Sequence, residues 1–115
     1  GDLSTGYKRA VAIARALAAQ PECVLYDEPT TMVDPIMSEL LANLMLRLKQ
    51  QLKLTSVVVT HDMASAFKVA DRMVMLSGGK VIAEGKPEAF RNSPNEEVQR
   101  FVEGRAGPGD LAALR

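Results

Sequence analysis

The stretch CVLYDE, residues 23–28, sets four apolar or aromatic side chains directly before two carboxylates. The apolar residues do not alternate with polar ones, a pattern typical of a strand that is covered on both faces in a parallel sheet. A second β-branched run, TSVVVTHD at residues 55–62, also ends in polar residues. Because ligands of such sheets gather beyond the carboxyl ends of the strands, the pattern makes Asp27, Glu28 and His61 a candidate site.

Helical segments alternate with these two strands. The first is predicted over residues 7–19, and its apolar face is expected to consist of Val11, Ile13, Ala14 and Leu17. The second is predicted to begin after Asp34, which suits the N-cap position because a proline follows it, and to end near Leu52.

The remaining elements follow the second strand. They are a helix at 63–70 capped by Asp62, a hairpin at 72–85 that turns at 77–80, one or two helical turns at 86–91, and a helix at 94–103 that begins in a capping box at Ser93. The alternation of strands and helices predicts an α/β fold, a layered parallel sheet flanked by helices, with a C-terminal β-hairpin and short helices.

Length and composition limit the function classes. The chain has 115 residues, 47% of them hydrophobic, which allows one domain at most. We expect residues 1–103 to form this domain and residues 104–115 to be a Gly/Pro-rich tail. The zero net charge predicts no nucleic-acid partner, and no apolar run approaches the ~20 residues of a membrane span. The single cysteine, Cys23, is expected to be buried and to have no catalytic role.

The candidate residues have chemistry that suits phosphoryl transfer. Asp27 can hold Mg²⁺ directly or through water, and Glu28 can polarise an attacking water. His61 can donate a hydrogen bond to a phosphate or accept one from that water. Each also has a simpler interpretation, because an acidic pair often opens a loop and a lone histidine is often structural. Asp34 has its own structural role as a helix N-cap.

The N-terminal stretch LSTGYKRAVAIARAL, residues 3–17, reads as a polar loop that runs into a helix. Gly6 allows close approach of a ligand to the backbone, Ser4 offers a hydroxyl, and the following N–H groups favour an anion. Ser4 is equally explained as a simple N-cap. The sequence contains no G-x-x-x-x-G-K-[ST] phosphate loop that would bind the nucleotide itself.

Four stretches in order, LSTGYKRAVAIARAL, CVLYDEPT, TMVD and VVVTHD, resemble the signature motif, Walker B strand, D-loop and switch histidine of ABC-transporter ATPases. The resemblance implies the C-terminal part of a P-loop NTPase-like nucleotide-binding domain, with ATP and Mg²⁺ as cofactors. It implies the following roles: Asp27 near Mg²⁺, Glu28 as catalytic base, His61 as sensor of the γ-phosphate, Asp34 as a coupling residue across a dimer, and Ser4 and Gly6 as contacts to ATP held by the opposite subunit.

The signature motif departs from the usual L-S-G-G-Q at Thr5 and Tyr7, and Ala10 stands where an arginine is common. Thr5 places a branched side chain where backbone freedom is expected, which predicts slower dimer closure or turnover. Gly6, the glycine nearer the helix, is retained.

The resemblance also implies partners and a location. These are a second copy of the ATPase subunit and transmembrane permease subunits, at the cytoplasmic face of the inner membrane. The parent protein is expected to hydrolyse ATP, whereas residues 1–115 alone, without a phosphate loop, are expected to be inactive. The VDP tripeptide at 33–35 and the segment at 89–110 are similar to ATPases of the Mla/Mce-type lipid transporters, which implies phospholipid movement.

Two alternatives remain at this point. One is a soluble ABC ATPase that acts on ribosomes or DNA, although the chain shows neither a charged linker nor a coiled-coil insertion. The other is a remnant used only for binding, against which the presence of Glu28 and His61 argues.

Overall fold

The computed structural model describes residues 2–104, with side chains from residue 5 onward. In chain order the elements are α1 (Asp2–Ala18), β1 (Cys23–Asp27), α2 (Pro35–Leu52), β2 (Thr55–Val59), α3 (Met63–Val69), β3 (Met73–Ser77), β4 (Lys80–Gly85), α4 (Pro87–Arg91) and α5 (Glu96–Glu103). The chain divides into two compact units, one up to Val69 and the other from Ala70.

The first unit is built on the parallel pairing of β1 with β2, in a register that joins Cys23 to Thr55 and Asp27 to Val59. The connection between these strands is α2, since parallel strands need a long crossover. Val24 and Tyr26 of β1 point into the core shared with the helices. The other buried members of this core are Ile13, Met37, Leu41, Ala42, Met45 and Val69. The predicted α/β fold with a parallel sheet and flanking helices is therefore confirmed.

Local signals define both ends of α2. The Asp34 carboxylate accepts a hydrogen bond from the Met37 amide at 2.8 Å, and Pro35 occupies the first turn. This confirms the predicted cap. The helix ends at Leu52, as expected, and Lys53 follows in the left-handed conformation with φ of 52°. Its amide donates to the Lys49 carbonyl and so satisfies one of the open carbonyls at the helix end.

Helix α1 begins earlier than the sequence predicts. It starts at Asp2, so the stretch expected to be a loop up to Gly6 is helical, and Ser4 lies inside the first turns rather than ahead of them. Gly6 is buried, and a Cβ atom there would lie 2.2 Å from Met37 Cγ and 2.6 Å from Met37 Sδ. The glycine therefore allows α1 to approach the start of α2, a role that the sequence does not reveal.

The apolar face of α1 also differs from the expected one. Ile13 is buried and Leu17 packs against the core, as predicted, but Val11 and Ala14 are exposed. Gly6, Ile13 and Leu17 are spaced i, i+7 and i+11, so they lie on one face of the helix.

The expectation that the sheet is covered on both faces is wrong for the described part of the first unit. The β1 residues alternate between exposed and buried, and Leu25 is 67% exposed. Val57 and Val59 on the same face of β2 are half-exposed. Both α1 and α2 pack on the face of Val24 and Tyr26, which leaves the other face uncovered. Cys23 lies on this uncovered face and is exposed, contrary to the prediction.

The strand β2 ends at Val59, so residues 60–62 form a loop instead of continuing the strand as predicted. His61 thus lies in this loop, two residues beyond the strand end. Asp62 caps α3 as expected, because its Oδ1 accepts a hydrogen bond from the Ser65 amide at 3.2 Å.

The second unit begins with the predicted hairpin. β3 and β4 pair antiparallel and turn through Gly78 and Gly79, both with positive φ, 58° and 76°. Two positive φ values in sequence are what a type I′ turn requires. Met75, Phe90 and Val98 form the buried residues of this unit.

The last helix is capped by Asn95 rather than by the predicted Ser93. Asn95 Oδ1 accepts hydrogen bonds from the Glu97 and Val98 amides at 2.9 and 3.5 Å. Ser93 instead accepts from the Asn95 amide. Asparagine and serine are about equally good N-caps, so cap preference alone does not decide between them. Gly104 ends the helix with φ of 71°, and residues 105–115 of the predicted tail lie outside the described part of the chain.

None of the helices between residues 2 and 104 combines the length and the hydropathy that crossing a bilayer requires.

The contact between Gly6 and Met37 predicts an unfavourable Gly6→Ala substitution. In an open helix this change stabilises by about 0.5–1 kcal/mol, but crowding against Met37 reverses the sign and lowers the free energy of unfolding by about 1–3 kcal/mol. In a Met37→Ala background, which removes the crowded atoms, Gly6→Ala should no longer destabilise. Urea unfolding of the four proteins in this cycle measures the coupling, and additive effects would contradict it.

The left-handed residue after α2 predicts a stabilising substitution. Lys53→Gly should raise the free energy of unfolding by about 0.5–1 kcal/mol, because glycine adopts this conformation without the steric cost of a Cβ atom. Gln50→Gly, on an exposed position in the last turns of the same helix, is the matched control and should destabilise by about 1 kcal/mol. Chemical unfolding of both variants checks the opposite signs.

Candidate functional site

The two loops that leave the parallel strands lie side by side. The register pairs Asp27 with Val59, and the Glu28 amide donates to the Val59 carbonyl at 2.7 Å. This bond extends the pairing by one position past the end of β1. The loops after β1 and after β2 therefore begin at the same edge of the sheet.

Glu28 and His61 meet at this edge. His61 Nδ1 lies 3.0 Å from Glu28 Oε2, and the Thr31 hydroxyl donates to the same oxygen at 3.0 Å. Glu28 has a φ of 49°, a conformation that is rare for residues other than glycine and that persists only where the surroundings hold it. The structure thus brings together the two residues that the sequence places at the ends of separate strands.

These contacts keep the glutamate ionised. The hydrogen bond from His61, aided by the bond from Thr31, lowers the pKa of the Glu28 carboxyl below its ordinary value, although burial acts in the opposite direction. Both side chains stay accessible, with 37% of the Glu28 side chain and 69% of the His61 side chain exposed. The carboxylate is thus oriented by the imidazole and open to a water molecule, which is the geometry that a general base needs, while the lowered pKa makes it a weaker proton acceptor than an ordinary glutamate.

Arg9 of α1 fixes the main chain around Glu28. Its guanidinium donates to the Glu28 carbonyl at 3.1 Å and to the Pro29 carbonyl at 2.7 Å. The sequence does not reveal this role, because 19 and 20 residues separate the partners and no local pattern links them.

Asp62 forms a second connection between the loops. Its Oδ2 accepts hydrogen bonds from the Thr30 hydroxyl at 2.9 Å and from the Ser65 hydroxyl at 2.7 Å. Burial raises the pKa of the Asp62 carboxyl, but the hydrogen bonds from Ser65 and Thr30 outweigh it and lower the pKa overall. The sequence predicts Asp62 only as a helix cap, and no local pattern links it to Thr30, which lies 32 residues away.

Asp27 lies next to Glu28 at the end of β1. Its side chain is exposed and makes no hydrogen bond or ion pair with the residues whose side chains are described. Mg²⁺ usually takes one or two carboxylates, with water and phosphate oxygens as its other ligands. One accessible carboxylate therefore fits a Mg²⁺ site completed by a nucleotide, while the side chains described between residues 5 and 104 form no cluster of three metal-binding groups.

The other predicted site residues have separate positions. The Asp34 carboxylate caps α2, and Gly6 is buried beneath Met37. The side chain of Ser4 lies outside the described residues. Thr5 is half-buried, and Tyr7 is 65% exposed.

An open groove of about 810 Å³ runs beside His61. The loop after β1, the first turns of α2 and helix α3 line it, and Lys68 contributes a cation that contacts Glu39 at 3.4 Å. The groove gives solvent and small ligands access to His61.

The fold and these contacts define a class of protein: an α/β protein with a carboxylate–imidazole pair and a separate exposed carboxylate at the carboxyl ends of parallel strands. Such an edge is where α/β proteins bind their ligands.

Comparison with known proteins shows which proteins the chain resembles. The chain is 42% identical over 102 residues to the glycine betaine/carnitine/choline transport ATP-binding protein OpuCA of Bacillus subtilis, covering 88% of this chain and 27% of OpuCA. It is 40% identical over 108 residues to the intermembrane phospholipid transport ATP-binding protein MlaF of Haemophilus influenzae, covering 93% of this chain and 41% of MlaF.

A solved structure shows the same fold. The chain matches cbiO1 of Clostridium perfringens, part of the ABC transporter complex cbiONQ, with a TM-score of 0.70 and 30% identity, over 96% of this chain and 43% of cbiO1. No protein-family profile matches the chain. The chain is thus similar to ATP-binding subunits of ABC transporters, and it spans 27–41% of the length of the two curated relatives.

The lowered pKa of Asp62 predicts a pH-dependent contribution to stability. A carboxylate whose pKa is lower in the folded protein than in the unfolded protein stabilises the fold at pH values above its pKa in the unfolded protein. This contribution disappears as the pH falls through the pKa of the folded protein. Ser65→Ala removes one donor to Asp62, so its destabilising effect should be largest near pH 7 and should shrink below about pH 4.

Ser38→Ala is the matched control, because the Ser38 hydroxyl donates to the neutral Thr30 and Val33 carbonyls. Its effect should stay constant over the same pH range. Urea unfolding of both variants at pH 3, 5 and 7 tests the difference, and parallel pH profiles would contradict the assignment.

Proposed function

We propose that the protein containing this chain hydrolyses ATP and supplies the energy for transport by membrane-embedded permease subunits. The observation that carries the proposal is the contact of Glu28 with His61 at the carboxyl ends of parallel strands, in a chain related to ATP-binding transport proteins. ATP hydrolysis requires a base near the attacking water and a group that recognises the transferred phosphate, and this pair supplies both.

Glu28 is the proposed general base. The bonds from His61 and Thr31 both use Oε2, so Oε1 is the oxygen that accepts the proton of the attacking water. Its lowered pKa keeps the carboxylate ready to accept a hydrogen bond at neutral pH.

His61 is the proposed contact to the γ-phosphate. Since a carboxylate only accepts hydrogen bonds, Nδ1 must donate to Glu28, which leaves Nε2 for a phosphate oxygen. The imidazole therefore orients the base and recognises the substrate at the same time.

Asp27 is the proposed ligand of Mg²⁺, directly or through water. Mg²⁺ bound there would neutralise charge on the phosphate oxygens during transfer. The exposed position of Asp27 beside Glu28 keeps this ligand separate from the base.

Ser4, Gly6 and Asp34 are proposed to act across a homodimer, with the start of α1 facing ATP held by the second subunit. Residues 1–115, which contain no phosphate loop of the type G-x-x-x-x-G-K-[ST], are proposed to be inactive alone. Thr5 and Tyr7 are proposed to slow closure or turnover.

The proposed assembly includes permease subunits at the cytoplasmic face of the inner membrane, where the ATPase is peripheral. The description of cbiO1 as part of a transporter complex supports this arrangement. The relatives named here are transport proteins and lend no support to a role on ribosomes or DNA.

Phospholipid is the narrower substrate proposal. Its support is the match to MlaF, which extends over 93% of the chain compared with 88% for OpuCA, at similar identity. Loss of the gene should then alter phospholipid distribution between membranes and leave uptake of betaine, carnitine and choline unchanged.

The base assignment predicts the effect of Glu28→Gln in the intact protein. ATP hydrolysis should fall by about 100-fold or more, while ATP binding persists, because the amide cannot accept the proton. Phosphate release measures hydrolysis, and a fluorescent ATP analogue measures binding.

Glu22→Gln provides the matched control, since Glu22 is an exposed carboxylate just before β1. It should leave both activities unchanged. Hydrolysis by Glu28→Gln at the wild-type rate would refute the base assignment, and absence of hydrolysis in the wild-type protein would refute the proposed function.

A further inference from the structure

Two buried hydroxyl groups converge on one carboxylate oxygen. Thr30 and Ser65 are 6% and 5% exposed, and they are the buried polar residues of the described chain. Both donate to Asp62 Oδ2, at 2.9 and 2.7 Å. A buried polar group without a partner is strongly unfavourable, so these bonds restrict where the three residues can lie.

The two bonds connect different parts of the molecule. Ser65 lies three residues after Asp62, so its bond stays within the start of α3. Thr30 lies 32 residues before Asp62, so its bond joins the loop after β1 to the loop after β2.

The longer connection lies next to the candidate site on both sides. Thr30 follows Glu28 by two positions, and Asp62 directly follows His61. Each loop also has hydrogen bonds of its own. Arg9 binds the carbonyls of Glu28 and Pro29 in the first loop, and in the second loop the Asp62 amide donates to the Thr60 hydroxyl at 2.9 Å.

We propose that Thr30 and Asp62 are positioning residues whose hydrogen bond sets the distance between Glu28 and His61. This rests on the proposed ATPase function for its effect on turnover, but the geometric effect on His61 is independent of it. Neither residue touches the reacting atoms. If the bond is lost, the contacts of His61 with Glu28 no longer have a second side-chain connection between the loops beside them, and the imidazole shifts relative to the carboxylate.

The expected kinetic effect is a loss of turnover without a loss of binding. Misplacement of a catalytic group by about 1 Å can reduce the rate by about 100-fold. Thr30→Val, which replaces the hydroxyl by a methyl group of similar size, should lower kcat by about tenfold, with KM changed less than about twofold.

Two matched variants separate this effect from stability. Thr30→Ser retains the hydroxyl and should keep at least half of the wild-type kcat. Ser65→Ala removes a hydrogen bond to the same Asp62 oxygen without affecting the connection between the loops, and its kcat should equal that of the wild type. If Ser65→Ala lowers kcat as much as Thr30→Val, the connection between the loops is not the cause and the proposal is wrong.

A spectroscopic measurement tests the geometry without nucleotide. His61 donates through Nδ1, so its neutral ring should carry the proton on Nδ1. ¹⁵N spectra of histidine-labelled intact protein at about pH 8.5, where an ordinary imidazole is neutral, report this tautomer. A His61→Gln variant assigns the signal. Thr30→Val should shift the population toward the Nε2-protonated form, whereas Thr30→Ser and Ser65→Ala should not.

Asp62→Asn is a second variant that tests the same hydrogen bond if the Thr30→Val protein does not fold. Asparagine still caps α3 but offers Thr30 no charged acceptor, so it should shift the tautomer in the same direction. Wild-type tautomer populations in the folded Thr30→Val or Asp62→Asn protein would overturn the proposal. If the wild-type protein lacks ATP hydrolysis, the proposed function fails, while the tautomer measurement still decides whether Thr30 and Asp62 position His61.

Discussion

The parallel pairing of β1 with β2 is the constraint on which the site depends. It joins Asp27 to Val59 in register, so the chain leaves both strands at one edge of the sheet. Helix α2 makes the crossover that this pairing requires, and its buried residues fill the same core as Val24 and Tyr26. The packing that stabilises the sheet therefore also brings the loop of Glu28 against the loop of His61.

Hydrogen bonds of polar side chains then fix the two loops that the strand pairing brings together. Arg9 holds the main chain at Glu28, Thr31 holds its carboxylate, and Asp62 ties the second loop to Thr30. Glu28 needs this support, because its positive φ is unfavourable for a residue with a Cβ atom. The strained residue is also the proposed base, so the contacts that stabilise the fold here also order the proposed chemistry.

The similarity to transport proteins does not identify one transported compound. OpuCA and MlaF are named for different transported compounds, yet each is about equally similar to this chain, at 42% and 40% identity. The roles proposed for Asp27, Glu28 and His61 concern ATP and Mg²⁺, and these roles are the same whatever compound is transported.

Local signals in the sequence determined the order of the elements, both ends of α2, the two-glycine hairpin and the position of polar residues just beyond the strands. Each depends on contacts within a few residues, such as the Asp34 cap or the positive φ of Gly78 and Gly79. Only the tertiary structure decided that helices cover one face of the sheet and leave Leu25 exposed, because apolar character does not show what covers it.

Tertiary structure likewise decided the early start of α1, where Gly6 meets Met37, and the bond between Thr30 and Asp62. These partners are about 30 residues apart in the chain. Their contacts arise only after the sheet and α2 have packed, so no periodicity or cap in the sequence can reveal them.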